Sequence, residues 1–298
     1  MLATKLLQLY ISISYVLAIY VATSHHVSYK QRNEPQIIHQ RMRNIIIMCG
    51  INVVLVSLLV SLYSGMSFTQ CFLAIGIIPG YHFNGVWDLS QSIWDSMKAV
   101  TLIAVLYVGP LTDLLLHYIH AKDSIWEDFF SNFNDIWGVR NYVFAPVTEE
   151  LVYTAMLISC HIMMEPISEL TWRGLLLEPS LYFGIAHIHH AWELYQDGEY
   201  KLVQIGLITT LQAIYTTIFG TLSNYVYLRN GGNLYSCVLI HSTCNLLGVP
   251  SLHSESQSLL KSAHHKHWWS RTYVMLLLLG LASFLLLLVP LTASPYSL

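Results

Sequence analysis

The apolar second half of the chain contains three short groups of ionisable and polar residues. Residues 148–154 read Thr-Glu-Glu-Leu-Val-Tyr-Thr and place Glu149 and Glu150 side by side. Residues 183–190 read Phe-Gly-Ile-Ala-His-Ile-His-His, and residues 241–245 read His-Ser-Thr-Cys-Asn. A glutamate, a histidine and a His–Asn pair are the parts of a site that activates water and stabilises an oxyanion. The three groups therefore predict a hydrolase.

These residues lie in stretches that are apolar enough to enter a membrane. A charged side chain near the centre of a bilayer costs about 2.5 to 3.5 kcal/mol on insertion scales, so ionisable residues there are functional candidates. A polar network that only holds helices together is the alternative interpretation of any single group. Three groups on three predicted helices favour a functional site over that alternative.

Spacing within the groups indicates how the side chains are used. Neighbouring residues on a helix point about 100° apart, so Glu149 and Glu150 cannot aim at one spot. We expect one of them to do chemistry and the other to support it. His241 and Asn245 are four residues apart and share a helix face.

The composition predicts an integral membrane protein. The 298 residues are 54% hydrophobic and only 10% charged, and the mean hydropathy is +0.51, whereas soluble domains carry about 25% charged residues. A net charge of −3 without a basic face argues against nucleic-acid binding. The five cysteines lie singly in apolar runs, so neither disulfides nor a zinc ribbon is predicted.

The hydrophobic pattern predicts an all-α, polytopic bundle of about eight transmembrane helices. A span needs about 20 apolar residues, and seven stretches meet or approach that length. They are residues 5–22, 44–63, 96–118, 141–163, 202–228, 233–249 and 272–290. An eighth stretch, 173–190, is interrupted by Glu178 and Pro179, and we expect it to be broken or tilted. The first stretch could instead be a signal peptide with small residues at 21–23, but its apolar run is longer than usual.

Basic residues predict the orientation. If the segment after the first span is cytosolic, most basic residues lie on the cytosolic side, as the positive-inside rule requires. These are Lys30, Arg32, Arg41, Arg43, Lys122, Arg140, Lys201, Lys261, Lys266 and Arg271, against Lys5, Arg173 and Arg229 on the other side. The three polar groups would then meet in an intramembrane cavity open to the cytosol.

We divide the chain into three parts. Residues 1–137 hold N-terminal spans and loops, residues 138–250 hold the catalytic core, and residues 251–298 hold a cytosolic loop and the last span. The acidic segment before residue 138 marks the first boundary. Nearly all intramembrane polar chemistry falls in the second part.

The strings TEELVYTAML, FGIAHIHHAWE and HSTCN resemble the three signature motifs of the CAAX prenyl endopeptidases. These enzymes belong, with bacteriocin-processing homologues, to a family of glutamate-dependent intramembrane proteases. The family pattern is Glu-Glu with an Arg four residues after the second Glu, then Phe-x-x-x-His, then His-x-x-x-Asn or Asp. The second string is especially similar to the eukaryotic type II branch, with a fungal-type first motif. Together the motifs occupy about residues 140–250 and come in the family's order.

The resemblance implies roles for individual residues. Glu149 and His187 would activate a water molecule, and His241 and Asn245 would bind the developing oxyanion. Glu150 matches the supporting glutamate of the family.

Four further positions lie in or beside the family motifs. Phe183 matches the motif phenylalanine, which would shape the cavity, and His190 is a further supporting candidate three residues after His187. Glu193 lies beyond the span and is expected to be a surface carboxylate. Thr154 replaces the family arginine, which leaves the partner of Glu150 open and predicts that Thr154→Arg is tolerated.

The resemblance also implies a reaction and a place in the cell. The enzyme would remove the C-terminal tripeptide from farnesylated or geranylgeranylated proteins that end in Cys-aliphatic-aliphatic-X, such as small GTPases, without a cofactor or metal. It would sit among lipids in the endoplasmic reticulum membrane, with its active site open to the cytosol.

Two rival functions remain open at this point. A zinc protease could use Glu149, His187 and His241 as ligands, although the sequence lacks HExxH. A proton-coupled carrier or a scaffold could also bury Glu and His residues, although no inverted repeat is visible.

Overall fold

The computed structural model describes residues 2–21, 30–121, 124–254, 256, 260 and 262–298. Within these residues the chain is helical and forms no β-strand. The helices of seven or more residues are α1 Leu2–Tyr20, α2 Pro35–Ser64, α3 Phe68–Ala74, α4 Leu89–Leu106, α5 Val108–Ala121, α6 Ile125–Ser131, α7 Ile136–Met164, α8 at 173–186, α9 His189–Asp197, α10 Leu202–Arg229, α11 Leu234–Leu247 and α12 Ala263–Thr292. Lys122, Lys261 and the small residues 22–23 of the sequence predictions lie outside the described residues.

The predicted membrane helical bundle is confirmed, with fewer long spans than expected. In the described part of the chain, helices α1, α2, α7, α10 and α12 are each long and apolar enough to cross a membrane. Helices α4 and α5 meet at an angle of 77° and could serve as one broken span. The remaining two predicted spans correspond to α8 and α11, whose 14 residues reach only about 21 Å. Length and composition thus support five or six spans, against the eight predicted.

Ion pairs and hydrogen bonds group the basic residues much as the orientation argument predicts. At one end of the bundle Lys30 lies 2.5 Å from Glu199, and Arg140 Nη1 donates to Asn33 Oδ1 (3.0 Å). Lys5 pairs instead with Glu178, away from that end. Because these contacts join segments predicted to share one side, they support the predicted topology. Which side is cytosolic stays a prediction.

The N-terminal helix packs directly against the helix that carries the glutamate pair. Gln8 Nε2 donates to Leu157 O (3.1 Å), and Tyr153 OH donates to Ser12 O (3.1 Å). These bonds are buried, so α1 forms one wall of the interior around α7. The division of the chain at residue 138 stays a prediction, and α1 and α7, which lie on either side of it, pack against each other.

A close contact between α8 and α10 positions the second motif. A Cβ at Gly184 would lie 2.0 Å from Thr217 Oγ1 and 2.8 Å from Ala213 O. Only glycine lets the two backbones approach to this distance. Gly184 lies between Phe183 and His187, so the same contact fixes both side chains.

We predict that Gly184→Ala destabilises the protein, because the added methyl group overlaps the backbone of α10. Overpacking of this kind costs about 1 to 3 kcal/mol. The matched control is Gly206→Ala, because a Cβ at that helical glycine meets nothing within 4 Å. Thermal unfolding in detergent should give a lower melting temperature for the first variant than for the second. Equal melting temperatures would show that α8 and α10 can separate without penalty.

Candidate active site

Proline shapes the helix that carries the two glutamates. Asp135 caps α7 by accepting a hydrogen bond from Gly138 N (2.7 Å). Pro146 lacks an N–H, and its ring clashes with the carbonyl four residues earlier. The helix accommodates this with a π-helical turn over Arg140–Phe144. A second π-helical segment, Glu150–Met156, begins directly after Glu149.

Glu149 faces a cavity of about 210 Å³ between α1, α2, α7 and the end of α8. The side chain of Glu149 is 18% exposed. Most of the lining is apolar, and Arg32, Arg41 and Arg140 are its basic residues. The lining consists of Tyr15, Val16, Ile19, Arg32, Ile38, Arg41, Met42, Ile45, Arg140, Asn141, Phe144, Ala145, Glu149, Tyr153, Ala186, His187, His189 and His190.

Glu150 points away from this cavity and is buried, with a side chain only 2% exposed. Its Oε2 accepts hydrogen bonds from Ser223 Oγ on α10 (2.5 Å) and Thr154 Oγ1 (2.8 Å). Its Oε1 lies 2.7 Å from His241 Nδ1 on α11. The expectation of a vacant salt-bridge position beside Glu150 is therefore wrong, because three side chains already surround the carboxylate.

Thr154 is itself enclosed. Its hydroxyl oxygen lies 3.1 Å from Asn224 Oδ1 as well as close to Glu150. Asn224 in turn donates to Ser180 Oγ (2.9 Å) and Leu176 O (3.0 Å) on α8. The space bordered by these residues has no room for a water molecule. The position of the family arginine thus lies in a filled polar contact between α7, α8 and α10.

His241 lies between the two glutamates. While Nδ1 contacts Glu150, Nε2 lies 3.8 Å from Glu149 Oε2. That separation is too long for a direct hydrogen bond. One oxygen atom of a third molecule, placed beside both groups, would hydrogen-bond to each of them. His241 can donate from Nε2 when Glu150 is protonated or when the imidazole is cationic.

The backbone fixes the tautomer of His187. Its Nδ1 donates to the carbonyl of Phe183 (2.8 Å), because a carbonyl can only accept. When the imidazole is neutral, the other ring nitrogen, Nε2, therefore carries a lone pair. The Phe183 ring lies edge-on to His187, with centroids 4.8 Å apart, and 6.2 Å from the His241 ring. Phe183 thus lies near both imidazoles.

Asn245 lies apart from the cavity lining. Its Nδ2 donates to Asn141 O (2.9 Å), which ties α11 to the first turns of α7. An amide nitrogen has two N–H donors, so one bond does not exhaust it. The structure brings Glu149, Glu150, Phe183, His187 and His241 together, and it holds Asn245 at the adjoining end of α11.

Glu193 is not the surface carboxylate expected from the sequence. Its side chain is completely buried and lies between Arg41 Nη2 (2.8 Å), Arg32 Nη1 (3.3 Å) and His190 Nδ1 (2.9 Å). Burial opposes its ionisation, but the hydrogen bond with His190 and the charge of Arg41 lower the pKa of Glu193 to about 2. The supporting candidate His190 therefore belongs to a charged cluster, and it also lines the cavity.

One group of three metal-type ligands occurs among the described residues, and it is not the set considered for zinc. His189, His190 and Glu193 have ligand atoms within 4.8 Å of one another. Arg32 and Arg41 contact the same carboxylate, and two guanidinium groups repel a cation. This cluster is better suited to an anion nearby than to a metal ion.

Several site residues escaped the sequence analysis. Ser223 and Asn224 are a polar pair in the long apolar helix α10, and that pairing was a detectable signal. Tyr15 and Tyr153 line the cavity beside Glu149, and the Tyr15 hydroxyl lies 3.0 Å from Thr148 Oγ1. Nothing in the sequence of α1 pointed to Tyr15, since it differs from lipid-facing tyrosines only in its location.

Comparison with known proteins shows which family the chain resembles. Residues 132–247 match the family model "Type II CAAX prenyl endopeptidase Rce1-like". The chain is 42% identical over 295 residues to CAAX prenyl protease 2 of Saccharomyces cerevisiae, covering 94% of this chain and 93% of that protein. It is 28% identical over 289 residues to human CAAX prenyl protease 2, covering 94% and 78%. The Arabidopsis thaliana protein of that name is 31% identical over 53% of this chain and 44% of its own length. No solved structure matches the chain.

The apolar helices and the named relatives together make this chain a multi-pass membrane protease. It belongs to the type II CAAX prenyl endopeptidase family. The fungal-type resemblance of its motifs agrees with the high identity to the yeast protein.

We predict that Thr154→Arg destabilises the protein more than Thr154→Val. The arginine has no space between Glu150 and Asn224, whereas valine keeps the volume and removes only the hydroxyl. Overpacking should cost about 1 to 3 kcal/mol. Yield after solubilisation and the melting temperature of both variants measure the difference. An arginine variant as stable and active as wild type would mean that the pocket opens to form the salt bridge of the family.

Proposed function

We propose that this protease removes the C-terminal tripeptide from prenylated proteins that end in a CAAX sequence. CAAX prenyl protease is the printed name of relatives in yeast and human. Farnesylated or geranylgeranylated small GTPases are the expected substrates. We place the enzyme in the endoplasmic reticulum membrane, with its cavity open to the cytosol, because the basic residues favour that orientation.

The observation that carries the proposal is the shared cavity of Glu149 and His187. Both side chains line it, and the His187 tautomer leaves a lone pair on Nε2. A peptide carbonyl entering this cavity meets a carboxylate and an imidazole that can take a proton from water. Peptide hydrolysis without a covalent intermediate requires such a base beside the attacking water.

The proposed reaction begins with water between Glu149 and His187. Glu149 accepts a proton as the water oxygen bonds to the carbonyl carbon of the prenylated cysteine, and His187 orients the same water through Nε2. The carbonyl π electrons move to oxygen and form an oxyanion. When the C–N bond breaks, the proton passes from Glu149 to the departing amine. The products are a C-terminal prenylcysteine and a free tripeptide.

The oxyanion is assigned to His241 and Asn245. His241 Nε2 lies 3.8 Å from the Glu149 carboxylate, a separation that supports a position next to the reacting carbonyl. Whether His241 Nε2 carries a proton to donate depends on the proton shared between Glu150 and His241 Nδ1. Asn245 would contribute the second N–H of its amide after a small movement of α11. His241 is already held by Glu150, and a donor that is held in place before the reaction acts without reorganisation.

The apolar wall of the cavity suits the prenyl chain. Val16 and Ile19 on α1 and Met42 and Ile45 on α2 all line the cavity. An isoprenoid placed there keeps its apolar surface out of water, which is worth about 25 cal/mol per Å². The prenyl group would then hold the cysteine carbonyl beside Glu149. This arrangement explains why an enzyme of this kind works inside a membrane.

We predict that Glu149→Gln and His187→Ala each reduce cleavage of a farnesylated CAAX peptide at least about 100-fold, the usual contribution of a general acid–base group. Tripeptide release by purified protein in detergent is the measurement. The control is Glu169→Gln, which changes an exposed glutamate outside the cavity. The melting temperature should stay near that of wild type. Turnover within a few-fold of wild type in either variant would reject the assignment of that residue.

The zinc-protease alternative has a separate test. The sequence has no HExxH, so we predict that tripeptide release persists in strong chelators and that active preparations contain zinc well below one equivalent. Turnover with and without chelator, and metal content by mass spectrometry, check this. Loss of activity that added zinc restores would make Glu149, His187 and His241 ligands instead.

A further inference from the structure

The two helices on either side of His187 carry an exposed apolar stripe. Its side chains follow one another along α8 and α9 at spacings of four and three residues, which places them on one helix face. The members of the stripe are Leu181, Ile185, Ile188, Trp192 and Tyr195. None of these five side chains lines the active-site cavity.

The stripe lies opposite the face of the same helices that carries the site. Each inward side chain follows an outward one by two residues, which is about 200° around a helix. On the inner side Phe183 and Leu194 are buried, and His187 and His190 line the cavity. The turn between α8 and α9 is tight, with His190 N donating to His187 O (3.1 Å), and the two-residue offset continues across it. The helix pair therefore has its histidines on one side and an apolar surface on the other.

The neighbouring segments place α9 at the level where the bilayer meets water. Just beyond the end of α9, the exposed side chains of Lys30 and Glu199 pair at 2.5 Å, and exposed charges of this kind belong in water. The next helix, α10, begins at Leu202 and exposes Leu202 and Val203 at once. A helix that joins two apolar helices beside an exposed ion pair lies at the bilayer surface.

The composition of the stripe changes along its length as a bilayer changes with depth. Its α8 end is aliphatic, with Leu181 and Ile185, and its α9 end carries Trp192 and Tyr195. Indole and phenol rings are enriched at membrane interfaces, where the ring contacts lipid and the polar tip meets water or headgroups. The two rings pack together on α9, with their centroids 5.9 Å apart. The aromatic end of the stripe thus has the chemistry of an interfacial contact.

The polar tips of the two rings are available to a ligand. Among the residues that the structure describes, neither the Trp192 indole N–H nor the Tyr195 hydroxyl has a hydrogen-bond partner. Both groups are donors, and lipid headgroups carry phosphate and ester oxygens that accept. A second copy of the chain could also pack along a stripe with this spacing. The change from aliphatic to aromatic residues and the open donors favour lipid over such a partner.

We propose that Trp192 and Tyr195 anchor α9 in the interfacial layer of the bilayer, where they bind lipid headgroups and the adjoining acyl chains. Leu181 and Ile185 lie deeper, in the hydrocarbon. The anchor holds His187 at a fixed depth, because the stripe and the cavity-lining histidines share one backbone. This inference concerns contact with lipid and is independent of which peptide the enzyme cleaves.

The test measures depth along the stripe in full-length protein reconstituted in phosphatidylcholine vesicles. Nitroxide labels are attached to single cysteines, and their accessibility to oxygen, which concentrates in hydrocarbon, is compared with their accessibility to a water-soluble nickel chelate. The oxygen-to-nickel ratio should fall in the order Leu181→Cys, Ile188→Cys, Tyr195→Cys and Lys201→Cys. Lys201 is the exposed aqueous reference, and protein with only its native cysteines, most of which are buried, is the labelling blank. A melting temperature near that of wild type shows that each variant is folded.

A second measurement removes the anchor and keeps one label. Ile188→Cys is combined with Trp192→Ala and Tyr195→Ala, and the ratio at position 188 should fall toward the value of Lys201→Cys because the contact with the interface is lost. The control combines Ile188→Cys with Trp126→Ala, which removes an exposed tryptophan on α6, outside the stripe. In that control the ratio at position 188 should equal the value for Ile188→Cys alone.

Three results would overturn the proposal. Equal ratios for Tyr195→Cys and Lys201→Cys would place the aromatic end of the stripe in water. Low accessibility to both reagents, with spin–spin broadening between labels, would mean that a second copy of the chain covers the stripe. An unchanged ratio at position 188 in the double-alanine variant would show that the two rings do not hold α9 at its depth.

Discussion

The buried carboxylate of Glu150 is the interaction on which the site depends. It receives hydrogen bonds from α10 through Ser223 and lies 2.7 Å from His241 on α11. Inside a membrane such a group is stable only if the protein satisfies it, because neither lipid nor bulk water can. The three helices are therefore held at fixed separations by one side chain. The orientation of the His241 ring is set by the same bond.

Two adjacent glutamates have different environments and therefore different capacities. The Glu149 side chain is 18% exposed and faces the cavity, whereas the Glu150 side chain is 2% exposed and already surrounded. A carboxylate occupied by three partners holds its shape but cannot readily exchange a proton with a substrate. Glu149 has the opening that chemistry needs. Because neighbouring residues on a helix point about 100° apart, Glu150 faces its structural partners while Glu149 faces the cavity.

Much of this site was predictable because its parts are local. The glutamate pair, the Phe-x-x-x-His string and the His-x-x-x-Asn string are each contained within one helix, so their spacing reports their geometry. The family followed from these strings, and the apolar pattern gave the all-α bundle. The eight predicted spans include α8 and α11, which are apolar but shorter than the helices that reach across a membrane by length. Hydropathy cannot distinguish a helix that crosses a bilayer from one that lies among other helices.

What sequence reasoning missed depends on contacts between distant segments. Glu193 sits in a polar stretch and looked solvent-exposed, but its partners Arg32 and Arg41 come from the other end of the chain. Thr154 looked like an empty position because its neighbours within α7 were considered alone. Its actual contact, Asn224, is on α10. A single sequence carries no record of which distant residues meet.

The π-helical turn ahead of Pro146 has a consequence for the direction of Glu149. A hydrogen bond that spans five residues adds one residue to the turn, and each residue in an α-helix advances the side chain by about 100°. The π-helical turn over Arg140–Phe144 therefore rotates Arg140 about the helix axis relative to Glu149, compared with a regular α-helix. The backbone conformation of this turn sets the angle between the two side chains about the helix axis. Proline at 146 keeps that angle by denying the helix its regular bonding.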